Sequence, residues 1–127
     1  MDLLLIDDEA SLRRTVRTTL ESMRHRVAEA ASGEQALAQL RQRRFALALL
    51  DLRLGRESGL DLLPALQGEA PGLAVVVVTA YASIDSAVAA MRRGAFDYLP
   101  KPFTPDQLRV VLQRWTQVHS LQTQVAD

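Results

Sequence analysis

Phe45-Ala46-Leu47-Ala48-Leu49-Leu50-Asp51-Leu52-Arg53-Leu54-Gly55 is the stretch on which the fold turns. Its first six residues are apolar without a break and run into a carboxylate. Such a run reads as a strand buried on both faces, as in the centre of a parallel sheet. Asp51 stands where the strand runs out, ahead of a loop punctuated by Gly55 and Gly59. Open α/β sheets collect ligands at the carboxyl ends of their strands. An ionised side chain there serves either a site or a helix cap, and no helical pattern begins within three residues of Asp51. Asp51 is therefore a candidate site residue.

Outward from this strand the chain alternates. Leu3-Leu4-Leu5-Ile6 is a short buried strand that ends in Asp7-Asp8-Glu9. Leu12, Val16, Leu20 and Met23 form a helical stripe over residues 9–24. Residues 26–30 alternate as a half-exposed edge strand does. Ser32 and Gln35 have capping-box spacing and open a helix through Ala36, Leu37 and Leu40. Leu60, Leu63 and Leu66 mark a short helix, with Pro64 in its first turns, where proline does least harm. Residues 73–78 are the strongest strand and end at Thr79. Ser83 caps a helix whose period expects Ile84, Ala87, Val88 and Met91 to face inward, with Gly94 closing it. Residues 96–99 are a fifth strand, and Thr104-Pro105-Asp106-Gln107 combines an N-cap, proline at the first helical position and a capping-box glutamine.

Five strands alternating with five helices predict an α/β fold, a doubly wound parallel sheet with right-handed crossovers. The flavodoxin-like order 2-1-3-4-5 suits five strands and puts the alternating second strand at an edge.

The 127 residues make one domain of ordinary size, and 48% hydrophobic with 24% charged residues marks a globular chain. Formal net charge is zero, which argues against nucleic-acid binding by this chain itself. There is no cysteine, hence no disulfide or thiol chemistry. No apolar run reaches the ~18–20 residues of a membrane helix. Met1-Asp2-Leu3 enters a strand with no basic leader, so the expectation is a cytoplasmic protein without membrane contact. Fifteen residues are Lys or Arg, and Lys101 is the one lysine, which suggests a place for a compact ammonium.

In the expected fold the strand ends bring Asp7, Asp8, Asp51, Thr79 and Lys101 to one rim. Each alone has a bland use: Asp7 or Asp8 as a helix cap, Thr79 as a strand residue, Lys101 as solvated surface. Together they suit one chemistry. Crowded carboxylates repel, and a hard divalent cation relieves them through oxygen ligands. Mg²⁺ fits because it keeps waters and takes few protein ligands. A carboxylate beside it is a nucleophile for phosphorus, a cation and an ammonium neutralise the transferring oxygens, and a hydroxyl can bond the product.

The elements Leu5-Ile6-Asp7-Asp8-Glu9, Leu50-Asp51-Leu52-Arg53, Val77-Val78-Thr79-Ala80 and Asp97-Tyr98-Leu99-Pro100-Lys101-Pro102-Phe103 resemble the receiver domain of bacterial two-component response regulators. The likeness covers nearly the whole chain, and residues 79–103 look most like the nitrogen-regulation (NtrC-like) class. The resemblance implies that Asp51 accepts a phosphoryl group from a sensor histidine kinase. It implies Mg²⁺ held directly by Asp8, Asp51 and the backbone carbonyl of Arg53, with Asp7 acting through water. It implies that Thr79 binds the phosphoryl oxygen, that Lys101 pairs with it, and that Tyr98 is an aromatic switch three residues before the lysine. A cis Lys101-Pro102 bond is implied as well, and turns the chain at modest intrinsic cost. Self-phosphorylation from small donors and self-dephosphorylation are the only catalysis expected. Contact with DNA is expected only through an output domain outside this sequence. The family usually has proline four residues after the phosphoacceptor; Gly55 stands there instead, and the loop is expected to be looser.

The competing enzyme reading is a haloacid-dehalogenase-like phosphatase, whose nucleophilic Asp is followed two residues later by a second Asp. Arg53 occupies that place and counts against it. A dinucleotide or flavin binder lacks its Gly-rich fingerprint after the first strand.

From Thr104 no glycine or proline after Pro105 stops the helix. Leu108, Val111, Trp115, Val118 and Val125 are spaced three, four, three and seven apart, with Gln122 in the gap, a heptad-like seam. The expected organisation is a receiver domain at 1–118 and a helical linker at 119–127. The seam would pair in a phosphorylation-dependent homodimer; the alternative is that its first members pack on the sheet.

Overall fold

The computed structural model describes the backbone of residues 1–126 and the side chains of residues 1–119. Five parallel strands form one sheet: β1 (Asp2–Ile6), β2 (Arg26–Ala30), β3 (Leu47–Asp51), β4 (Ala74–Thr79) and β5 (Asp97–Pro100). Their spatial order is β2-β1-β3-β4-β5, the order expected from the sequence. The helices between and after them are α1 (Ala10–Ser22), α2 (Gly33–Gln42), α3 (Gly59–Glu69), α4 (Ile84–Arg92) and α5 (Pro105–Ala126).

The apolar runs of β1, β3 and β4 feed both faces, because alternate side chains point to opposite sides. Leu4, Ile6, Ala48, Leu50, Val75 and Val77 meet α2, α3 and Ala90 of α4. Leu3, Leu5, Leu47, Leu49, Val76 and Val78 meet Leu20 of α1 and Leu108, Val111 and Leu112 of α5. β3 is buried at every residue, as an unbroken apolar run with neighbours on both sides requires.

The predicted caps form. Ser32 accepts from the Gln35 N–H at 3.2 Å, while the Gln35 side chain reaches one residue further back, to the Ala31 N–H at 2.8 Å. Thr104 and Gln107 make the full reciprocal pair at 3.1 and 2.8 Å. Ser83 caps α4 together with Ser86 in a capping box. Gly94, at φ +94°, ends α4 in the left-handed region that glycine enters without strain.

One expectation needs correction. The stripe on α4 faces outward: Ile84 is 84% exposed, Val88 44% and Met91 49%. The contact with the sheet is made by fully buried Ala90, with Ala87 half-buried. Small residues let this short helix lie close to the sheet, and its larger apolar side chains are left outside.

The seam on α5 is divided. Leu108 and Val111 are buried in the domain core, with Trp115 packed against the same cluster, so these members are taken up by the sheet. The side chains of Gln122 and Val125 lie outside the described residues.

The loop after β3 folds as a short hairpin. Arg53–Leu54 and Glu57–Ser58 pair antiparallel in a two-residue ladder, turned by Gly55 at φ +57°. The Glu57 carboxylate accepts from the Gly33 N–H at 3.1 Å and ties this hairpin to the start of α2.

Candidate functional site

Strand register builds the site. Ile6 is paired with Leu50, Asp51 with Val78, and Thr79 with Pro100. One step beyond these pairs, Asp7 and Lys101 leave the ends of β1 and β5 beside Asp51 and Thr79. Asp7, Asp51 and Thr79 are buried, and Asp8 is exposed. Oxygens of Asp7, Asp8 and Asp51 all lie within 4.8 Å of one another. The structure thus brings together the predicted carboxylates, Thr79 and Lys101.

Lys101 is not solvated surface. Its Nζ donates to Asp51 Oδ2 at 2.7 Å and to Asp7 Oδ2 at 2.8 Å, and only 12% of the side chain is exposed. Burial pulls the ammonium's pKa down, but the hydrogen bonds and charges of Asp51 and Asp7 outweigh it, and the net shift is upward. The group therefore stays charged at neutral pH. The Lys101-Pro102 bond is cis, and the Lys101 N–H continues the ladder to the Thr79 carbonyl at 2.8 Å.

Asp7 does not cap α1 in the usual way. Its Oδ1 accepts from the N–H of Glu9, the N-cap residue, at 2.9 Å, and no side chain caps that helix at the N-cap itself. The Arg13 guanidinium, bonded to the Asp7 carbonyl at 2.6 Å, fixes the backbone at the same point. The Arg53 N–H donates to Asp51 Oδ1 at 3.0 Å. One ammonium facing three carboxylates leaves the cluster with unbalanced negative charge. Its donors are all hard oxygens, which suits Mg²⁺ or Ca²⁺ rather than a soft metal.

Two contacts had no sequence signal. The Arg53 side chain, where a dehalogenase-like phosphatase would need an aspartate, lies over the Tyr81 ring at 3.6 Å and bridges the loops after β3 and β4. Tyr98 OH and Ser86 Oγ are 2.6 Å apart, so the expected switch residue is bonded to the hydroxyl that completes the α4 cap. The Ser83/Ser86 spacing is visible in the sequence; that a tyrosine joins it is not. Thr79 Oγ1 accepts from the Tyr81 N–H at 3.0 Å. An outward apolar patch follows: Tyr81, 60% exposed, continues the Ile84, Val88 and Met91 stripe.

Residues 3–113 match the response regulator receiver domain family. The chain is 47% identical over 119 residues to the alginate biosynthesis transcriptional regulatory protein AlgB of Pseudomonas aeruginosa, covering 94% of this chain and 26% of that protein. It thus spans about a quarter of the length of this curated relative. It superposes on NtrX from Brucella abortus with a TM-score of 0.91 at 36% identity, covering 99% of this chain and 29% of that one. A response regulator from Burkholderia pseudomallei, solved with a phosphorylated aspartic acid, a calcium ion and citrate, gives a TM-score of 0.84 at 33% identity, covering 95% and 72%. With the fold and strand-end rim already in view, these likenesses establish that the chain belongs to the response regulator receiver domain family and that its relatives are of the NtrC-like class.

Proposed function

We propose that Asp51 is the phosphoacceptor of this receiver domain, taking the phosphoryl group of a sensor histidine kinase to form an acyl phosphate and thereby controlling a transcriptional output domain. The observation that carries this reading is the Asp51 carboxylate at the end of the central strand, 2.7 Å from the Lys101 ammonium and flanked by Asp7 and Asp8. In the transfer, the donor's P–N bond breaks and a P–O bond to Asp51 forms. The phosphorylated aspartic acid and the calcium ion of the Burkholderia pseudomallei relative support the same assignment by likeness.

Asp8, Asp51 and the Arg53 carbonyl would hold Mg²⁺, with Asp7 acting through water. When bound, the ion supplies positive charge to the oxygens of the transferring group. The chain's own residues do the rest. The Arg53 N–H and Lys101 hold the two Asp51 oxygens in place. Lys101 offers a charge that persists at neutral pH because its carboxylate partners stabilise it. Thr79 uses its oxygen as acceptor for the Tyr81 N–H, which leaves its O–H for a phosphoryl oxygen.

Drawing Thr79 toward the acyl phosphate removes the acceptor from the Tyr81 N–H and opens room for Tyr98. The tyrosine, half-buried with its hydroxyl on Ser86, then moves further inward. The surface of α4, β5 and α5, which carries the exposed apolar stripe, changes shape and recruits a second copy. Residues 1–118 act as the receiver, and 119–127 serve as the linker toward a DNA-binding output domain in the cytoplasm.

Acetyl phosphate with Mg²⁺ adds one hydroxylamine-labile phosphoryl group by intact mass, and Asp51→Asn abolishes it. Label that persists in the variant, or forms equally in EDTA, overturns the assignment. Identical Thr79 and Tyr98 positions in crystals with and without a phosphoryl analogue would overturn the switch alone.

A further inference from the structure

The backbone N–H of Gly55 donates to Asp8 Oδ2 at 2.8 Å, joining the loop after β3 to the end of β1 across 47 residues of chain. The two buried carboxylates are held at both oxygens: Asp7 by the Glu9 N–H and Lys101, Asp51 by the Arg53 N–H and Lys101. Asp8 is exposed, and among the described residues the Gly55 bond is its one hydrogen bond. Its other oxygen has no partner among those residues. Gly55 is thus the hydrogen-bond donor that orients Asp8 among the described residues.

We infer that Gly55 is a positioning residue for the divalent cation, its N–H holding Asp8 ready as a ligand and making the hairpin at 53–58 a working part of the cation site. This rests on the reading above, in which Asp7, Asp8 and Asp51 hold that cation. Carboxylates that bind metals are themselves oriented by hydrogen bonds from a surrounding shell, and loss of such a donor typically lowers metal affinity about 10- to 100-fold. Asp8 is exposed, so the lower end applies.

Two roles of the residue are separable. The turn needs φ +57°, which favours glycine. Space is not the constraint, since a Cβ at this position would meet only Asp8 Oδ2, at 3.9 Å. Asparagine tolerates the left-handed region and keeps the N–H. An ester between residues 54 and 55, made by placing glycolic acid at 55, keeps the freedom of glycine and removes only the donor. Proline removes the donor and fixes φ near −65°.

The test is Mn²⁺ binding to the 127-residue chain by electron paramagnetic resonance, with Mg²⁺ as competitor and melting in EDTA as the control for folding. Gly55→Asn is expected to bind within about twofold of the unmodified protein, and the ester about tenfold more weakly while melting normally in EDTA. Gly55→Pro should follow the ester or be weaker. An ester that binds Mn²⁺ as tightly as the unmodified chain overturns this inference and leaves the cation site standing. Failure of the unmodified chain to bind Mn²⁺, or undiminished binding by Asp8→Asn, overturns the cation reading and this inference with it.

Discussion

Lys101 is the residue on which the charge of the rim depends. A single nitrogen sits 2.7 and 2.8 Å from two carboxylates that would otherwise face each other. Removing one partner from a buried ionic cluster costs about 3 kcal/mol or more. Lys101→Gln should therefore lower the urea midpoint in EDTA, and Mg²⁺ should restore more stability to the variant than to the parent, because the cation replaces the missing charge. Equal Mg²⁺ responses would show that the carboxylates do not depend on the ammonium. Lys101→Arg should also impair phosphorylation, since a planar fork cannot occupy the single point between Asp7 and Asp51. The pH dependence has a definite sign. The Lys101 pKa is raised above its ordinary value of 10.5, so its contribution is complete below that value and is lost as pH climbs through the folded one.

Elements are coupled here by a few shared side chains. On α4, Ser86 serves both the helix cap and Tyr98. Ser86→Ala should cost about 1 kcal/mol for the cap, and Tyr98→Phe about 0.5–1.5 kcal/mol for the hydrogen bond. If one bond joins them, the double variant should cost less than the sum. Additivity within about 0.3 kcal/mol in urea melts would mean that the two hydroxyls act independently. Across the sheet, Glu29 on β2 ties down α1 through Arg13 and Arg17, each at 3.0 Å. Burial pushes the Glu29 pKa up, but the bonds from Arg17 and Arg13 outweigh it and the net shift is downward from 4.5. Its stabilising contribution is therefore full above 4.5 and lost as pH falls through the lower folded value. Glu29→Gln should destabilise the protein by about 1–2 kcal/mol at pH 7. That difference should shrink in urea melts below the folded pKa; a difference independent of pH would remove the ion pairs from the account.

At the scale of the whole molecule, two apolar surfaces are candidates for the proposed self-association, and packing separates them. Leu108, Val111 and Leu112 of α5 are committed to the core, whereas Ile84, Val88 and Met91 are open. Ile84→Glu replaces a side chain that is 84% exposed, so stability should change by no more than about 0.5 kcal/mol. In sedimentation with a phosphoryl analogue, this variant should weaken the dimer more than truncation after Val118 does. A dimer that survives Ile84→Glu but is lost on truncation would return the contact to the α5 seam.

Strand order, sheet faces and the rim of Asp7, Asp8, Asp51, Thr79 and Lys101 were legible in the sequence by itself. A continuous apolar run has to be buried on both sides, and the residue at its end has to emerge on the ligand rim. The caps at Ser32, Ser83 and Thr104 were legible for a similar reason, because they are contacts within one turn of chain. The outward stripe of α4 was not, since a period of 3.6 shows that an apolar face exists and says nothing of what it meets. The same ambiguity left two uses open for α5, and packing takes Leu108 and Val111 for the sheet. Only tertiary structure decided that Gly55 holds Asp8, that Arg53 covers Tyr81 and that Ser86 holds Tyr98. Each of these joins loops or elements distant in the chain, so it exists only once the parallel sheet has brought their ends within hydrogen-bonding or stacking distance.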